Sequence, residues 1–330
     1  MSIFIVGGSN SIYRDGWSSE ISGAHNLSVG ANTTLCGIFR CLLDDGPQSG
    51  DTIIWEYALN EIVHVRELYA QETLLRNLEH FLRLAGRNNW KVLPLLLVPR
   101  QEEIYDIIPD YYYHAIDLFK HYGLNTVDVS AEFRNRFGSV PSSHYSDPVH
   151  FRRDADVTGE IGRMVKNALP DAMSPREPNP IRTSGDIVAL NLERSSRFAN
   201  SLMSIPLTEM PLSIHMEGSG VIRSVVVICK QEDASGLRVQ LTRPQRWRWK
   251  RRVVADSRIS TTCRNDKTLL KALNLDNVAD WSFEPGDILS IRYIKTGGAV
   301  YAEQGLKARL RAVTIPDRDT LAGILVERYP

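Results

Sequence analysis

A serine, a glycine, an asparagine and an Asp-x-x-His pair follow successive apolar runs in the first half of the chain. Ser9 comes directly after the first run and a glycine pair, and Gly30, Asn60, Asp147 and His150 come after later ones. In an open parallel sheet, ligands bind beyond the carboxyl ends of the strands, so these residues are expected at one rim. A serine hydroxyl becomes a nucleophile when a histidine oriented by a carboxylate removes its proton. The pattern predicts acyl transfer, with Ser9 as nucleophile, His150 as general base and Asp147 as its orienting partner.

The oxygen of a tetrahedral intermediate needs hydrogen-bond donors aimed at its developing negative charge. We expect three donors: the backbone N–H beside Ser9, the backbone N–H of Gly30 and the side-chain amide of Asn60. His144, six residues before His150, is the alternative base. Five further residues are candidate substrate contacts: Asn10, Asn32, Glu61, Trp247 and Trp249.

The elements that position these residues alternate between short strands and helices. Strands are predicted at 3–6, 24–29, 52–55, 91–98 and 126–129, and helices at 61–85, 107–121 and 154–168. Strands alternating with helical patterns are typical of an α/β domain with a parallel sheet, here residues 1–170.

These strand-end residues resemble the SGNH (GDSL-type) hydrolase superfamily, whose blocks supply Ser, Gly, Asn and His in that order. The segment Asn26-Leu-Ser-Val-Gly-Ala31 resembles the second block, and the resemblance covers about residues 1–170. It implies a flavodoxin-like three-layer αβα domain and the roles given above for Ser9, Gly30, Asn60, Asp147 and His150. Two blocks depart from the family pattern: Gly8 replaces the aspartate of Gly-Asp-Ser, and Ala58-Leu-Asn-Glu61 replaces Gly-x-Asn-Asp.

The second half of the chain has a different pattern of residue types. Residues 171–184 are rich in proline and predict a linker. From residue 185 to residue 330, short apolar runs separated by Gly, Pro, Asp and Ser predict a β-rich sandwich or barrel. A short helix is predicted at 267–273. The basic run Arg243–Arg252, which includes Trp247 and Trp249, predicts either a polyanion- or sugar-binding surface or a strand with solvated arginines.

Composition limits the class of protein. The net charge is zero, but residues 1–170 hold 15 Lys and Arg against 21 Asp and Glu, so the second half is basic. The four cysteines have no metal-ligand spacing and are expected to be reduced, buried thiols.

No apolar run reaches the length of a membrane span and no basic region precedes the first one, so we expect a cytoplasmic protein. No metal, cofactor or nucleic-acid partner is expected, and the oligomeric state stays open.

Two hypotheses from different classes follow. The first is a serine esterase acting on an O-acyl ester, with O-acetyl saccharides as the expected substrate class, or an O-acyltransferase using the same residues on a polysaccharide. The second is a non-catalytic binding protein built on a decayed hydrolase fold, motivated by Gly8 and the altered third block.

Overall fold

Short strands, each leading into a helix or a turn, form the sheet of the first unit, Met1–Thr183. The computed structural model describes residues 1–176, 179–230, 235–245, 251–264, 268–310, 313 and 320–330. Within the described residues the first sheet has five parallel strands in the order β2-β1-β3-β4-β5. The strands are β1 Ile3–Gly7, β2 His25–Asn26, β3 Thr52–Glu56, β4 Lys91–Leu96 and β5 Val127–Asp128. This is the flavodoxin-like order, in which the strand order reverses between β1 and β3.

Helices cover both faces of this sheet, so the unit has three layers. The α-helices are α1 Ser9–Ile12, α2 Thr34–Cys41, α3 Ala58–Glu67, α4 Gln71–Arg87, α5 Arg100–Tyr105, α6 Asp110–His121, α7 Val129–Phe137 and α8 Ala155–Ala168. Short 3-10 helices lie at Trp17–Glu20, Ser142–His144 and Leu169–Asp171. The predicted α/β fold is therefore confirmed.

Alternate residues of the strands face opposite helical layers. On one face, Ile5 and Ile54 pack in one cluster with Ile161 of α8. On the other face, the ring of Trp55 packs edge-on against Phe119 of α6, and its Nε1–H donates to the hydroxyl of Thr34. Strands buried on both faces are apolar throughout, which is why these runs lack an alternating pattern.

One predicted helix is two helices in the structure. The pattern over 61–85 predicts a continuous helix, but α3 ends at Glu67 and α4 begins at Gln71. Leu68 leaves the helical region with φ −149°, and the N–H groups of Leu68 and Tyr69 both donate to the carbonyl of His64. The imidazole of His64 stacks on Tyr69, which fixes the break.

Most of the predicted linker packs within the first unit. The N–H of Val92 donates to the carbonyl of Met173, and the N–H of Arg176 donates to the carbonyl of Tyr122. The second unit begins at Ser184.

The second unit, Ser184–Pro330, is a β-sandwich in its described residues. One sheet has the order β13-β10-β18-β6, with β14 paired to β10, and the other has the order β12-β11-β15-β9. Residues from both sheets, such as Val225, Val239 and Ile291, share one core, as expected of packed antiparallel sheets. The strands are β6 Asp186–Ala189, β7 Ser196–Ala199, β8 Ser204–Leu207, β9 Leu212–His215, β10 Gly220–Cys229, β11 Gly236–Pro244, β12 Arg251–Ser260, β13 Leu269–Asn274, β14 Ser282–Phe283, β15 Ile288–Tyr293, β16 Gly298–Ala299, β17 Arg309–Leu310 and β18 Leu321–Arg328.

The predicted β-rich fold is confirmed, but the predicted helix at 267–273 is wrong. Leu269–Asn274 is strand β13 and pairs antiparallel with β10. The apolar run is too short for its pattern to distinguish a helix from a strand. Pairing with β10, which is distant in sequence, makes it a strand.

Candidate active site

Ser9, His150 and Asp147 form one chain of hydrogen bonds at the carboxyl end of β1. The Nε2 atom of His150 lies 2.7 Å from Oγ of Ser9. Its Nδ1 atom lies 2.7 Å from Oδ2 of Asp147. A neutral imidazole with Nδ1–H donating to the carboxylate leaves Nε2 free to accept the serine proton. The sequence-predicted nucleophile, base and orienting carboxylate are thus brought together in a geometry suited to nucleophilic catalysis.

A tight loop holds Asp147 beneath the imidazole of His150. The other carboxylate oxygen of Asp147 accepts the N–H groups of Val149 and His150, each at 2.8 Å. Partial burial raises the pKa of Asp147, but the hydrogen bonds from Val149 and His150 outweigh it and hold the pKa below its usual range. Asp147 is therefore ionised at neutral pH, as an orienting partner requires.

His144, the alternative base, takes no part in the hydrogen bonds that join Ser9, His150 and Asp147. Its ring packs edge-on against Phe133 and Phe137, with ring centroids 4.9 and 5.6 Å away. Burial lowers the pKa of His144. These contacts describe a histidine packed among aromatic rings, and they favour His150 as the base.

Asn10, predicted as a substrate contact, holds the loop that carries His150. Its Oδ1 accepts the N–H of Phe151 at 2.9 Å, and its Nδ2 donates to the carbonyl of Val149 at 3.1 Å. The side chain is buried, and both of its ends are occupied by the residues on either side of His150. Asn10 therefore positions His150 against the neighbouring Ser9.

Gly30 lies directly beside Ser9. A methyl group at Gly30 would lie 3.5 Å from Cβ of Ser9 and 3.9 Å from its backbone nitrogen. The N–H of Val29 donates to the carbonyl of Gly7 at 2.9 Å, which fixes this loop to β1. The next residue, Ala31, has φ +55°, a left-handed conformation that is strained for alanine and that often occurs at functional sites.

The side chain of Asn60 lies against Gly8. A β-carbon at position 8 would lie 1.9 Å from Oδ1 and 2.9 Å from Nδ2 of Asn60, so only glycine fits. Asn60 is the third residue of α3, and its backbone carbonyl accepts from His64 Nδ1 at 2.6 Å. Its amide is thus next to the residue preceding Ser9. The side chain of Asn60 therefore explains sterically why glycine stands at position 8, where the family has an aspartate.

A buried carboxyl group that the sequence analysis missed lies beneath the same turn. Glu56, the last residue of β3, accepts the hydroxyl of Ser11 at 2.6 Å and the N–H of Gly8 at 3.2 Å through Oε2. Burial raises the pKa of Glu56 to about 7. A carboxyl group therefore contacts this turn although position 8 carries none. An acidic residue ending an otherwise apolar strand is the signal that could have identified it.

Glu61 and Asn32, predicted as substrate contacts, are also buried in the fold. Glu61 accepts the N–H of Thr34 at 2.8 Å and the hydroxyl of Tyr111, and burial raises its pKa to about 7. Asn32 donates to the carbonyl of Gly30 at 3.0 Å. Both side chains support the loops around the site, which favours a positioning role over contact with substrate. Trp247 and Trp249 lie outside the described residues.

Tyr13 and Arg153 flank the base and were not predicted. The ring of Tyr13 meets the imidazole of His150 edge-on at 5.6 Å between centroids, and the guanidinium of Arg153 lies 4.7 Å from the centre of the Tyr13 ring. Arg153 in turn pairs with Asp15 at 3.3 Å. Tyr13 is four residues after Ser9, and Arg153 is three residues after His150. This closeness in sequence to the predicted site residues is the signal that could have identified them.

The described residues also bear on metal binding and on membrane spans. No group of three His, Cys, Asp or Glu side chains there is arranged to hold a metal ion. No described helix is long and apolar enough to cross a bilayer. The four cysteines are buried, free thiols.

Solved structures similar to this chain include two esterases and a lipolytic protein. No protein-family model and no curated protein matches the sequence. A two-domain esterase active on acetylated mannans covers 100% of this chain and 91% of its own, with 11% identity and a TM-score of 0.57. An acetyl xylan esterase covers 51% of this chain and 100% of its own, with 13% identity and a TM-score of 0.44. A lipolytic protein of the G-D-S-L family from Veillonella parvula covers 52% of this chain and 98% of its own, with 11% identity and a TM-score of 0.42.

The likeness to the two-domain esterase extends over both units and establishes the fold. Both units share the fold of that esterase, an α/β unit followed by a β-sandwich unit, as the resemblance stated above predicts.

Proposed function

We propose that this chain is a serine esterase that removes an O-acyl group, most simply O-acetyl, from a saccharide through an acyl-enzyme on Ser9. The observation that carries the proposal is the unbroken hydrogen-bond chain from Asp147 through His150 to Ser9. Ser9 and His150 are only partly buried, so an ester could reach them.

The first half-reaction follows from this geometry. His150 Nε2 takes the proton of the Ser9 hydroxyl as Oγ attacks the ester carbonyl, and Asp147 stabilises the imidazolium that forms. The carbonyl oxygen becomes an oxyanion facing the N–H groups of Ser9 and Gly30 and the amide of Asn60. The C–O bond to the saccharide then breaks, and His150 returns the proton to the leaving hydroxyl.

Water completes the cycle. His150 removes a proton from water as the water oxygen attacks the acyl carbon, and the collapse of the second intermediate releases acetic acid and returns the proton to Ser9. A saccharide hydroxyl in place of water would give acyl transfer by the same residues. Both variants need the same oxyanion donors, and losing one costs about 2.7–4 kcal/mol of transition-state stabilisation.

Two observations favour an active esterase over a decayed one. The hydrogen bond between His150 and Ser9 is short. Asn10, which follows Ser9, holds the loop that carries His150. The departure at Gly8 is matched by Asn60 filling the space. That the two-domain esterase of the same fold acts on acetylated mannans supports an acetylated polysaccharide as the substrate class.

The test is burst hydrolysis of p-nitrophenyl acetate by the wild type, Ser9→Ala and His150→Ala, with fluorophosphonate labelling of Ser9. We expect a burst and a label in the wild type and a loss of rate of up to about 10⁶-fold in either variant. Equal rates in all three proteins, with no label on Ser9, would refute the proposal. Acetate release from acetylated mannan and xylan oligosaccharides, with and without an acceptor saccharide, then separates hydrolysis from transfer.

A further inference from the structure

Three arginines stand side by side on the outer face of the second unit's β12-β11-β15-β9 sheet. Arg238 of β11 is directly opposite Arg258 of β12 and Arg292 of β15. The residues between them along these strands, such as Val239 and Ile291, point into the sandwich core. Because side chains alternate along a strand, the three arginines share the outward face.

This row places like charges opposite one another, which destabilises a sheet unless something else offsets it. Asp256, also facing outward, neutralises one of them: its Oδ1 accepts from Nε of Arg238 at 2.8 Å. The hydrogen bond from Arg238, together with the charge of Arg292, holds the pKa of Asp256 below its usual range. Asp256 is therefore ionised at neutral pH, and the row of three arginines keeps an excess of positive charge.

Neither Arg258 nor Arg292 forms a salt bridge with a carboxylate among the described residues, although the charge of Arg292 acts on Asp256. Nη2 of Arg258 donates to the carbonyl of Thr296 at 2.7 Å, which orients its guanidinium without neutralising it. Arg292 is exposed, and within the described part of the chain its side chain forms no hydrogen bond or salt bridge. Lys295, two residues after the end of β15, adds another exposed cation.

The row lines a groove of ligand size. Arg238, Asp256, Arg258, Arg292 and Lys295 border a groove of about 600 Å³. An adjoining depression of about 310 Å³ shares Arg238 and Arg292 and presents polar groups instead of further charge. Its polar side chains are those of Ser213, Gln240 and Ser290. Volumes of this order are typical of sites for small molecules.

We propose that this groove binds an acidic saccharide, through carboxylate groups on Arg258 and Arg292 and sugar hydroxyls on the adjoining serines and Gln240. Planar guanidinium groups match carboxylates in bidentate geometry. Neighbouring strands lie about 4.7–4.9 Å apart, so Arg258 and Arg292, on the strands either side of β11, stand roughly 9–10 Å apart along the row and can hold carboxylates on two separate sugar residues. The choice of a saccharide rests on the proposed esterase function, whereas the anionic character rests on the groove.

Direct binding tests this site independently of catalysis. The full chain carrying Ser9→Ala would be titrated calorimetrically with tetragalacturonate, with its methyl ester, and with single-stranded DNA. Arg292→Gln removes one free cation, and Arg197→Gln, at an exposed arginine of β7 outside this sheet, is the matched control. Arg258→Gln is a second probe of the row.

We expect tetragalacturonate to bind at least tenfold more tightly than its methyl ester, and more weakly as salt rises. Arg292→Gln and Arg258→Gln are each expected to weaken binding by about tenfold to a hundredfold, since a hydrogen bond to a charged group contributes about 1.5–3 kcal/mol. Arg197→Gln should bind like its parent. Equal affinity for the charged and methylated sugars, unchanged binding in both row variants, or tighter binding of DNA would overturn the proposal. If esterase activity is absent but tetragalacturonate binds as expected, only the proposed function fails.

Discussion

Replacing Gly8 with alanine should disable the site with little loss of stability. The new β-carbon would lie 1.9 Å from Oδ1 and 2.6 Å from Cγ of Asn60. Real β-carbons essentially never approach another heavy atom more closely than 3.0 Å, so the side chain of Asn60 must move by more than 1 Å. Such a displacement removes the proposed amide donor from the oxyanion, which predicts a loss of about 10²–10³-fold in kcat.

The expected cost in stability is at the low end of the range for overpacking, about 1 kcal/mol, because the obstacle is a side chain and not the backbone. The measurements are steady-state hydrolysis of p-nitrophenyl acetate and urea unfolding. Gly159→Ala is the matched control, since nothing lies within 4 Å of a β-carbon there, and it should keep full activity.

A double variant separates the steric effect from the chemical one. Asn60→Ala alone should lose the same 10²–10³-fold, because it removes the same donor. Adding Gly8→Ala to Asn60→Ala should restore the stability lost by Gly8→Ala and should lower activity no further, since the two changes act through one group. Activity within a few-fold of wild type in Gly8→Ala, or a further tenfold loss in the double variant, would refute the reasoning.

Two other predictions concern carboxyl groups. Asp147→Asn should lower kcat by about 10²–10⁴-fold, because an amide does not hold the imidazole in the base tautomer or stabilise the imidazolium; a change below threefold would contradict this role. Glu56→Gln tests the buried carboxyl under the turn. The folded-state pKa of Glu56 is raised from 4.5 to about 7, so its contribution to stability is fully present below pH 4.5 and is lost as pH rises through about 7. The free energy of unfolding of the wild type should fall by about 3 kcal/mol relative to Glu56→Gln across this window. Urea titrations that run parallel for the two proteins would show that Glu56 is not buried as described.

The catalytic candidates were predictable because each lies where local sequence and topology agree. Ser9 follows a strand that ends in small residues, and the Asp-x-x-His spacing lets one short loop supply both Asp147 and His150. Parallel strands bring their carboxyl ends to one edge without any knowledge of side-chain packing.

The positioning residues were not predictable in the same way. Asn10 was assigned to the substrate, but its partners are 139 and 141 residues away, and no local pattern indicates contacts at that distance. Glu56 resembles any residue at a strand end until the neighbouring turn is built onto it.

The second unit shows the same limit at the level of strands. Runs of apolar residues predicted that strands exist, but the arrangement of the three arginines depends on register between β12, β11 and β15. A shift of one residue would turn a strand's side chains to the other face, and register is set by pairing that the sequence does not display.

The attachment of the base loop to Asn10 also decides how the site tolerates motion. Ser9 and His150 are 141 residues apart, yet the residue adjoining Ser9 carries the loop of His150 on its own amide. Because Asn10 bonds to the residues on both sides of His150, a displacement of that loop is shared with Asn10 and therefore with the adjoining Ser9. The alignment of nucleophile and base thus depends on both hydrogen bonds of this one amide.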